Sequence, residues 1–240
     1  MFYRYETHCH SAQCSACAHS SSQELVQAYH GAGYAGLVLT DHFIFGNTSV
    51  DRSLPWQMRM TAYYQAFLDA KIAAESLDFD VIFGIEHAYG DGKEVLIYGI
   101  DLPFLLKNTD IPILSLDELV ERVHDYGGIV IQAHPYRNRS YVNMSVEPRL
   151  DIVDGIEVHN AGNQPGEDRT ALAASAGKDF ILTSGGDIHT VQNERLGQSG
   201  IALPYRIRNE KELVAALKRR DHGLLIKGNV FEKITEYDLP

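Results

Sequence analysis

The chain has 240 residues, a hydrophobic content of 45% and a formal net charge of −11. That composition is ordinary for a globular protein with a sizeable core, and the length favours one domain over residues 1–240. The acidic balance argues against stable nucleic-acid binding, although it leaves room for a small phosphorylated substrate beside a bound metal. No apolar run approaches the roughly 20 residues that span a bilayer, and the N-terminus has no signal-peptide core, so we expect a cytoplasmic protein without membrane contact.

The chain alternates short apolar runs with amphipathic segments. In chain order the predicted elements are a strand over 2–7, a helix beginning in the cap-rich run 20–24, a strand over 36–40, a helix over about 55–77, strands over 79–85 and 94–100, a helix over 116–126, strands over 129–133 and 155–158, a helix over 169–176, a strand over 180–183, a helix over 210–219 and a closing strand over 223–226. Repeated units of this size predict an α/β fold with a mostly parallel sheet.

The three cysteines, Cys9, Cys14 and Cys17, lie within nine residues of one another. Cys14-x-x-Cys17 could indicate zinc or redox chemistry, but a four-ligand structural zinc site needs a second pair. An odd count also argues against a structural disulfide framework. We therefore expect three reduced thiols in a loop near the active site.

Ionisable residues recur just after the apolar runs. They are His8 and His10, Asp41 and His42, Glu86 and His87, His134, Glu157 and His159, and Asp187 and His189. In a barrel of parallel strands, catalytic groups lie at the C-terminal ends of several strands, which would bring this set into one mouth. A single histidine beside a strand is usually structural, but several separate strand ends that each deliver one are hard to assign to chance.

Local spacing indicates a metal site. His8 and His10 share one face of an extended strand because side chains alternate with period two, and Asp187 and His189 repeat that geometry. Mixed imidazole and carboxylate ligands suit Zn, Mn or Fe, and the sequence does not choose among them.

Six segments in order resemble the PHP (polymerase and histidinol phosphatase) family. They are His8-Cys9-His10-Ser11, Leu39-Thr40-Asp41-His42, Gly84-Ile85-Glu86, Ala133-His134-Pro135, Gly155-Ile156-Glu157-Val158-His159-Asn160 and Ser184-Gly185-Gly186-Asp187-Ile188-His189. The resemblance implies a distorted (β/α)7 TIM-like barrel with two or three divalent metal ions. It also implies a metal-dependent phosphoesterase, similar to histidinol phosphatase, that attacks a small phosphorylated metabolite through a metal-bound hydroxide.

The resemblance further implies a ligand set. His8, His10, Glu86 and Asp187 would hold one metal, Glu86 would bridge to a second metal bound by His134, and His42 and His189 would bind a third with help from His19. Relatives often carry a histidine in the strand after the bridging glutamate, where this chain has Leu96. The second metal is then weakly held or uses another ligand, for which His87 and Glu94 are candidates.

Catalysis also needs a proton donor and a phosphate clamp. His159 or His42 could protonate the leaving alkoxide, and the resemblance favours a pocket role for His159 rather than a ligand role. Arg137, three residues after His134, is our first choice for the clamp, Arg195 is the second, and Arg139 and Arg52 are weaker. A phosphodiesterase or exonuclease, a metallohydrolase acting on an amide or lactone, and a non-catalytic metal-binding module stay open as alternatives. The oligomeric state is also open.

Overall fold

A computed structural model describes residues 2–235 and residue 239. The strands are β1 (Tyr3–Cys9), β2 (Gly36–Leu39), β3 (Asp80–Gly90), β4 (Lys93–Tyr98), β5 (Ile129–Gln132), β6 (Gly155–Asn160), β7 (Ile181–Gly185), β8 (Gly200–Leu203), β9 (Gly223–Ile226) and β10 (Asn229–Phe231). The helices are α1 (Ser22–Gly31), α2 (Trp56–Ala74), α3 (Leu102–Lys107), α4 (Leu116–Tyr126), α5 (Glu167–Ser175) and α6 (Glu210–Arg219), with a short 3₁₀ turn at Ile111–Ile113. Within the described part of the chain, no helix is both long and apolar enough to cross a membrane.

Local sequence signals account for several boundaries. Ser21 and Ser115 open α1 and α4 with capping boxes, each completed by a glutamate three residues later. Gly127 ends α4 in the left-handed region, with φ of 93°. The cap-rich run at residue 20 therefore marks the start of α1, and the glycine pair marks the end of α4, as the sequence predicted.

The strands form one curled sheet in the order β10-β9-β8-β1-β2-β3-β4-β5-β6-β7. The pairs β1–β2, β2–β3, β5–β6 and β6–β7 are parallel. The segment after β7 returns to the end of β1, where Cys9 and Ile188 form an isolated parallel bridge. The end of β7 is thereby brought beside the end of β1, which places their polar residues in one neighbourhood.

The prediction of an α/β fold is confirmed, but that of a mostly parallel sheet is wrong. The pairs β3–β4, β4–β5, β1–β8, β8–β9 and β9–β10 are antiparallel. The turn at Gly90-Asp91-Gly92, whose three residues all have positive φ, joins β3 directly to β4 as a hairpin, so no crossover helix intervenes. The short elements β8, β10 and α3 were not predicted.

Alternation along the strands divides the core in two. Leu37, Leu39, Val81 and Phe83 pack with α1, α2 and α4 in one apolar cluster. The alternating partners Val38, Ile82, Leu96 and Tyr98 belong to a second cluster that includes α6. The faces of β3 and β4 that carry Ile82 and Leu96 also carry Glu86 and Glu94, since these residues are separated by even numbers of positions.

Candidate metal centre

The carboxylate of Glu86, on β3, lies among four imidazoles. Its Oε1 is 3.1 Å from His8 Nε2 and 3.0 Å from His134 Nε2. Its Oε2 is 2.7 Å from His42 Nδ1 and 3.6 Å from His10 Nε2. These histidines come from the ends of β1, β2 and β5, so the strand ends converge as the sequence predicted.

Asp187 approaches the same cluster from the segment after β7. Its Oδ1 is 3.1 Å from His10 Nε2 and 3.6 Å from His8 Nε2. Asp187 and His134 are both non-glycine residues with positive φ, of 51° and 24° respectively. Such backbone conformations cost of order 1–3 kcal/mol each and concentrate at functional sites, where the surrounding structure holds them.

Among the described residues, four groups of three have potential ligand atoms within 4.8 Å of one another. They are His10, His42 and His189; His8, His10 and Asp187; His8, Glu86 and His134; and His42, Glu86 and Glu94. The arrangement brings together every residue that the resemblance gave as a metal ligand except His19.

The buried ligand atoms of this cluster lack hydrogen-bond partners. His8 Nε2, His10 Nε2, His42 Nδ1 and Glu86 Oε2 are all buried without one. Buried polar atoms are ordinarily satisfied, and four exceptions aimed at one point need an explanation. Divalent metal ions fit, because the donors are imidazole nitrogens and carboxylate oxygens.

The protonation of the cluster reflects the crowding of charge. Burial favours neutral His8, yet the carboxylates of Glu157, Asp187 and Glu86 raise the pKa of His8 well above its usual range. Burial likewise opposes the charge on Glu86, but His8 and His42 hold the pKa of Glu86 well below its usual range. For His10, burial and the neighbouring His189 and His42 lower the pKa. A proton on His8 thus supplies positive charge that bound metal ions would otherwise supply.

Carboxylates behind the cluster orient the ligands. Glu157 Oε1 is 3.0 Å from His8 Nδ1, and Glu157 Oε2 accepts a hydrogen bond from His134 N at 2.9 Å. Glu6 Oε1 accepts from the backbone of His8 and of Gly186, which fixes β1 against the loop that carries Asp187. A carboxylate on the far nitrogen of a ligating histidine fixes its ring and raises its basicity. Sequence reasoning gave Glu157 no such role and did not consider Glu6, although a glutamate two residues before His8 on one strand face was a usable signal.

Glu94 occupies the region left open by Leu96. Leu96 pairs with Glu86 across the β3–β4 hairpin and is fully buried in the core. Glu94 lies on the same face, two residues earlier, with its carboxylate oxygens 3.5 Å from His42 Nδ1 and 3.5 Å from His134 Nε2. His87 instead lies against the rings of Phe43 and Phe45, and burial lowers its pKa to about 4. Of the two candidate ligands for the second metal, the structure places Glu94 in the cluster.

The loop after β1 places Cys17, and not His19, at the cluster. The His19 side chain is exposed, and His19 contributes its backbone N–H to His189 O. Cys17 is half-buried. Burial alone would raise the pKa of the Cys17 thiol, but hydrogen bonds to the imidazoles of His189 and His42 lower this pKa to about 6. All three cysteines are free, as the sequence predicted, but Cys9 lies in β1 and not in a loop.

A cavity of about 820 Å³ opens beside the cluster. Arg137 lines it with the ligand residues His42, Glu86, His134 and Asp187. Arg137 is buried, and its Nη1 lies 2.7 Å from Asp187 Oδ2 while its Nη2 donates to Asn160 Oδ1 at 2.7 Å. Arg137 is therefore also the ion-pair partner of Asp187, a candidate metal ligand.

Two residues expected at the same mouth lie in a different cavity. His159 and Arg195 line a pocket of about 320 Å³ together with Ser199 and Lys227. His159 Nδ1 is 2.6 Å from Asp168 Oδ2, and its Nε2 is 3.2 Å from Ser199 Oγ. The β6–β7 register shifts between Glu157 and His159, so these two residues do not follow simple alternation.

The weaker arginine candidates are also engaged elsewhere. Arg139 pairs with Glu167 at 2.8 Å, and Arg52 donates to Gly46 O at 2.8 Å. Neither is among the residues that line the large cavity. Arg137 is the arginine candidate that the structure brings to it.

Known structures share the fold at low sequence identity. A two-domain protein from Bacteroides vulgatus, which contains a predicted PHP-like metal-dependent phosphoesterase, superposes with a TM-score of 0.71 at 14% identity; the match covers 96% of this chain and 66% of that protein. A protein from Bifidobacterium adolescentis described as a metal-dependent phosphoesterase gives 0.58 at 16%, covering 90% and 96% of the two chains. Endonuclease Q, in complex with a duplex that carries an abasic lesion, gives 0.60 at 10%, covering 91% and 57%. No family model and no curated protein sequence matches the chain.

Proposed function

We propose that this chain, whose sequence resembles the PHP family and whose fold is that of PHP-like structures, is a metal-dependent phosphoesterase that releases phosphate from a small phosphorylated metabolite. We include in this proposal that residues 1–240 act as one domain and that β1–β7 correspond to the distorted (β/α)7 barrel of that family. The observation that carries the proposal is the Glu86 carboxylate amid four imidazoles, with unsatisfied buried ligand atoms around it.

The proposed metal ligands follow the clusters in the structure. They are His8, His10, His42, Glu86, Glu94, His134, Asp187 and His189, which we propose hold two or three ions of Zn, Mn or Fe. Divalent ions bound there would make a water molecule nucleophilic at neutral pH and polarise the phosphoryl oxygens. Glu94 would supply the charge that Leu96 cannot, and His19 would take no part.

The side chains around the cavity would bind the substrate and hold it in position. Arg137 lines the cavity, and a guanidinium has five N–H donors, of which its contacts with Asp187, Asn160 and Asn163 use three. The remaining donors would hold a phosphoryl oxygen. Of the two histidines considered as proton donors, His159 does not line this cavity, and His42 lines it but is a proposed metal ligand, so neither is proposed as the donor.

Endonuclease Q makes a nucleic-acid phosphodiesterase the strongest alternative. The charge of this chain favours a small substrate instead, since a net charge of −11 disfavours contact with a polyanion. A metallohydrolase acting on an amide or lactone is the other alternative, and Arg137, as a phosphate clamp, argues against it.

A direct test compares three phosphate esters on protein loaded with Mn or Zn. We expect release from 4-nitrophenyl phosphate to exceed that from bis(4-nitrophenyl) phosphate, with no cleavage of a duplex containing an abasic site. Faster cleavage of the diester or of the duplex would refute the proposal in favour of a phosphodiesterase. Inactivity on all three would contradict phosphoesterase activity itself.

A further inference from the structure

The large cavity has an apolar wall that the proposed chemistry does not use. We define the apolar wall as Phe45, Tyr89, Leu114, Leu116 and Tyr141, all of which line the cavity. Phe45 is 50% exposed and Tyr141 is 59% exposed, so both rings present apolar surface to the cavity. Exposed apolar surface that adjoins a candidate catalytic site marks a ligand-binding surface.

The apolar wall is held in place by the surrounding backbone. The loop bearing Tyr141 packs on the β3–β4 turn, where Asn143 donates to Asp91 through its backbone N at 2.9 Å and its side chain at 3.0 Å. The Tyr89 hydroxyl donates to Gln132 Oε1 at 2.8 Å, which fixes that ring. Phe45 makes an edge contact with His87, with ring centroids 5.8 Å apart. The rings of Tyr89 and Phe45 and the backbone that carries Tyr141 are therefore positioned before any ligand binds.

Formal charge in the cavity is confined to its metal end. Of the residues that the structure describes, the aspartate, glutamate and arginine side chains that line it are Glu86, Glu94, Asp187 and Arg137, and no lysine lines it. Arg137 is already paired with Asp187 at 2.7 Å. A second anionic group on a substrate would therefore lie against the apolar wall without a cation, and burying an unpaired charge is costly.

We propose that the substrate is a phosphate monoester whose alcohol part is uncharged and carries an aromatic or similarly flat apolar group that packs on the apolar wall. This inference rests on the proposed function, because the phosphoryl group must lie at the metal end. Hydrolysis breaks the P–O bond to the alcohol, the oxygen of water bonds to phosphorus, and the alcohol leaves with a proton. The volume of about 820 Å³ accommodates a whole small molecule beyond its phosphate.

Matched alkyl esters test the inference because each leaving group is a primary alcohol of similar basicity. On metal-loaded protein, 2-phenylethyl phosphate is compared with ethyl phosphate and with 2-carboxyethyl phosphate. We expect kcat/KM to be about ten- to a hundredfold higher for the phenylethyl ester than for the ethyl ester, because burying a ring is favourable on that scale. The carboxyethyl ester should be the poorest substrate of the three.

Variants of the wall identify where the preference arises. Phe45→Ala and Tyr141→Ala should each reduce the phenylethyl-to-ethyl ratio, and together by about tenfold, while the rate on ethyl phosphate changes little. Ile72→Ala is the control, because Ile72 is 63% exposed on α2 and does not line the cavity. A ratio near one in the wild type, or one unchanged in the double variant, would overturn the inference.

Binding separates this inference from the proposed function. Calorimetry on the metal-loaded protein compares 3-phenylpropylphosphonate with propylphosphonate, neither of which can be hydrolysed. Tighter binding of the phenyl compound, lost in the Phe45→Ala/Tyr141→Ala double variant, supports the inference that ligands pack on the apolar wall. If no ester is cleaved while this binding preference is present, the phosphoesterase activity alone is contradicted. Equal affinity for the two phosphonates overturns the inference whatever the catalytic result.

Discussion

Replacing Glu86 with glutamine removes the one carboxylate that contacts four imidazoles. Its two oxygens lie 2.7–3.6 Å from the ring nitrogens of His8, His10, His42 and His134. If it bridges two metal ions, the amide weakens a charged contact to each. At about 1.5–3 kcal/mol per charged contact, the loss is roughly 3–6 kcal/mol, or on the order of 10²- to 10⁴-fold in metal binding and kcat/KM together.

Glu94→Gln is the matched control for that experiment. Glu94 lies 3.5 Å from two imidazoles, whereas Glu86 lies within 3.6 Å of four, so the loss of Glu94 should cost less metal binding and less kcat/KM than the loss of Glu86. Elemental analysis and steady-state phosphate release on both variants give the comparison. Near-normal metal content and turnover in Glu86→Gln, or a larger loss in Glu94→Gln, would refute the assignment of Glu86 as the central ligand.

Three further predictions concern the charges around the candidate ligands. Arg137→Ala should lower kcat/KM by about ten- to a hundredfold and also reduce metal content, because the substitution removes the ion-pair partner of Asp187. Arg137→Lys should recover only part of the lost kcat/KM. Unchanged kinetics and metal content in Arg137→Ala would show that Arg137 is not needed. Burial alone would lower the pKa of His42, but the Glu86 carboxylate raises this pKa to about 11, so His42 carries a proton at neutral pH in the metal-free protein. Metal binding should therefore release protons and strengthen as pH rises, which calorimetry in buffers of different ionisation enthalpy measures; heats independent of buffer would contradict this. In the metal-free protein the stabilisation from charged His42 should be complete below pH 6.5 and decline as pH rises toward 11, which chemical denaturation across that range checks.

The sequence predicted the clustering of histidines and carboxylates better than it predicted the sheet. Alternation on β1 placed His8 and His10 together, and their ring centroids are 5.1 Å apart. The same spacing brought Asp187 and His189 to the cluster, with buried Ile188 between them. Ligand positions at strand ends are readable from sequence because alternation and strand termination are local properties.

Predictions that depended on non-local geometry were less successful. Strand-end position alone placed His159 with the candidate ligands. In the structure, the register of β6 against β7 shifts just before His159, and His159 lies beside Asp168 and Ser199. The sequence could not choose between His87 and Glu94, because that choice depends on the pairing of β3 with β4. The apolar wall also joins distant loops, so no single motif could indicate it.

The central claim is that phosphate release requires metal held by this cluster. The most direct measurement follows metal content and phosphate release in one preparation before chelation, after chelation, and after addition of Zn, Mn or Fe. We predict that both quantities fall together, return together with at least one of these metals, and fail to return in Glu86→Gln. Full phosphate release by metal-free protein in the presence of chelator would contradict the claim.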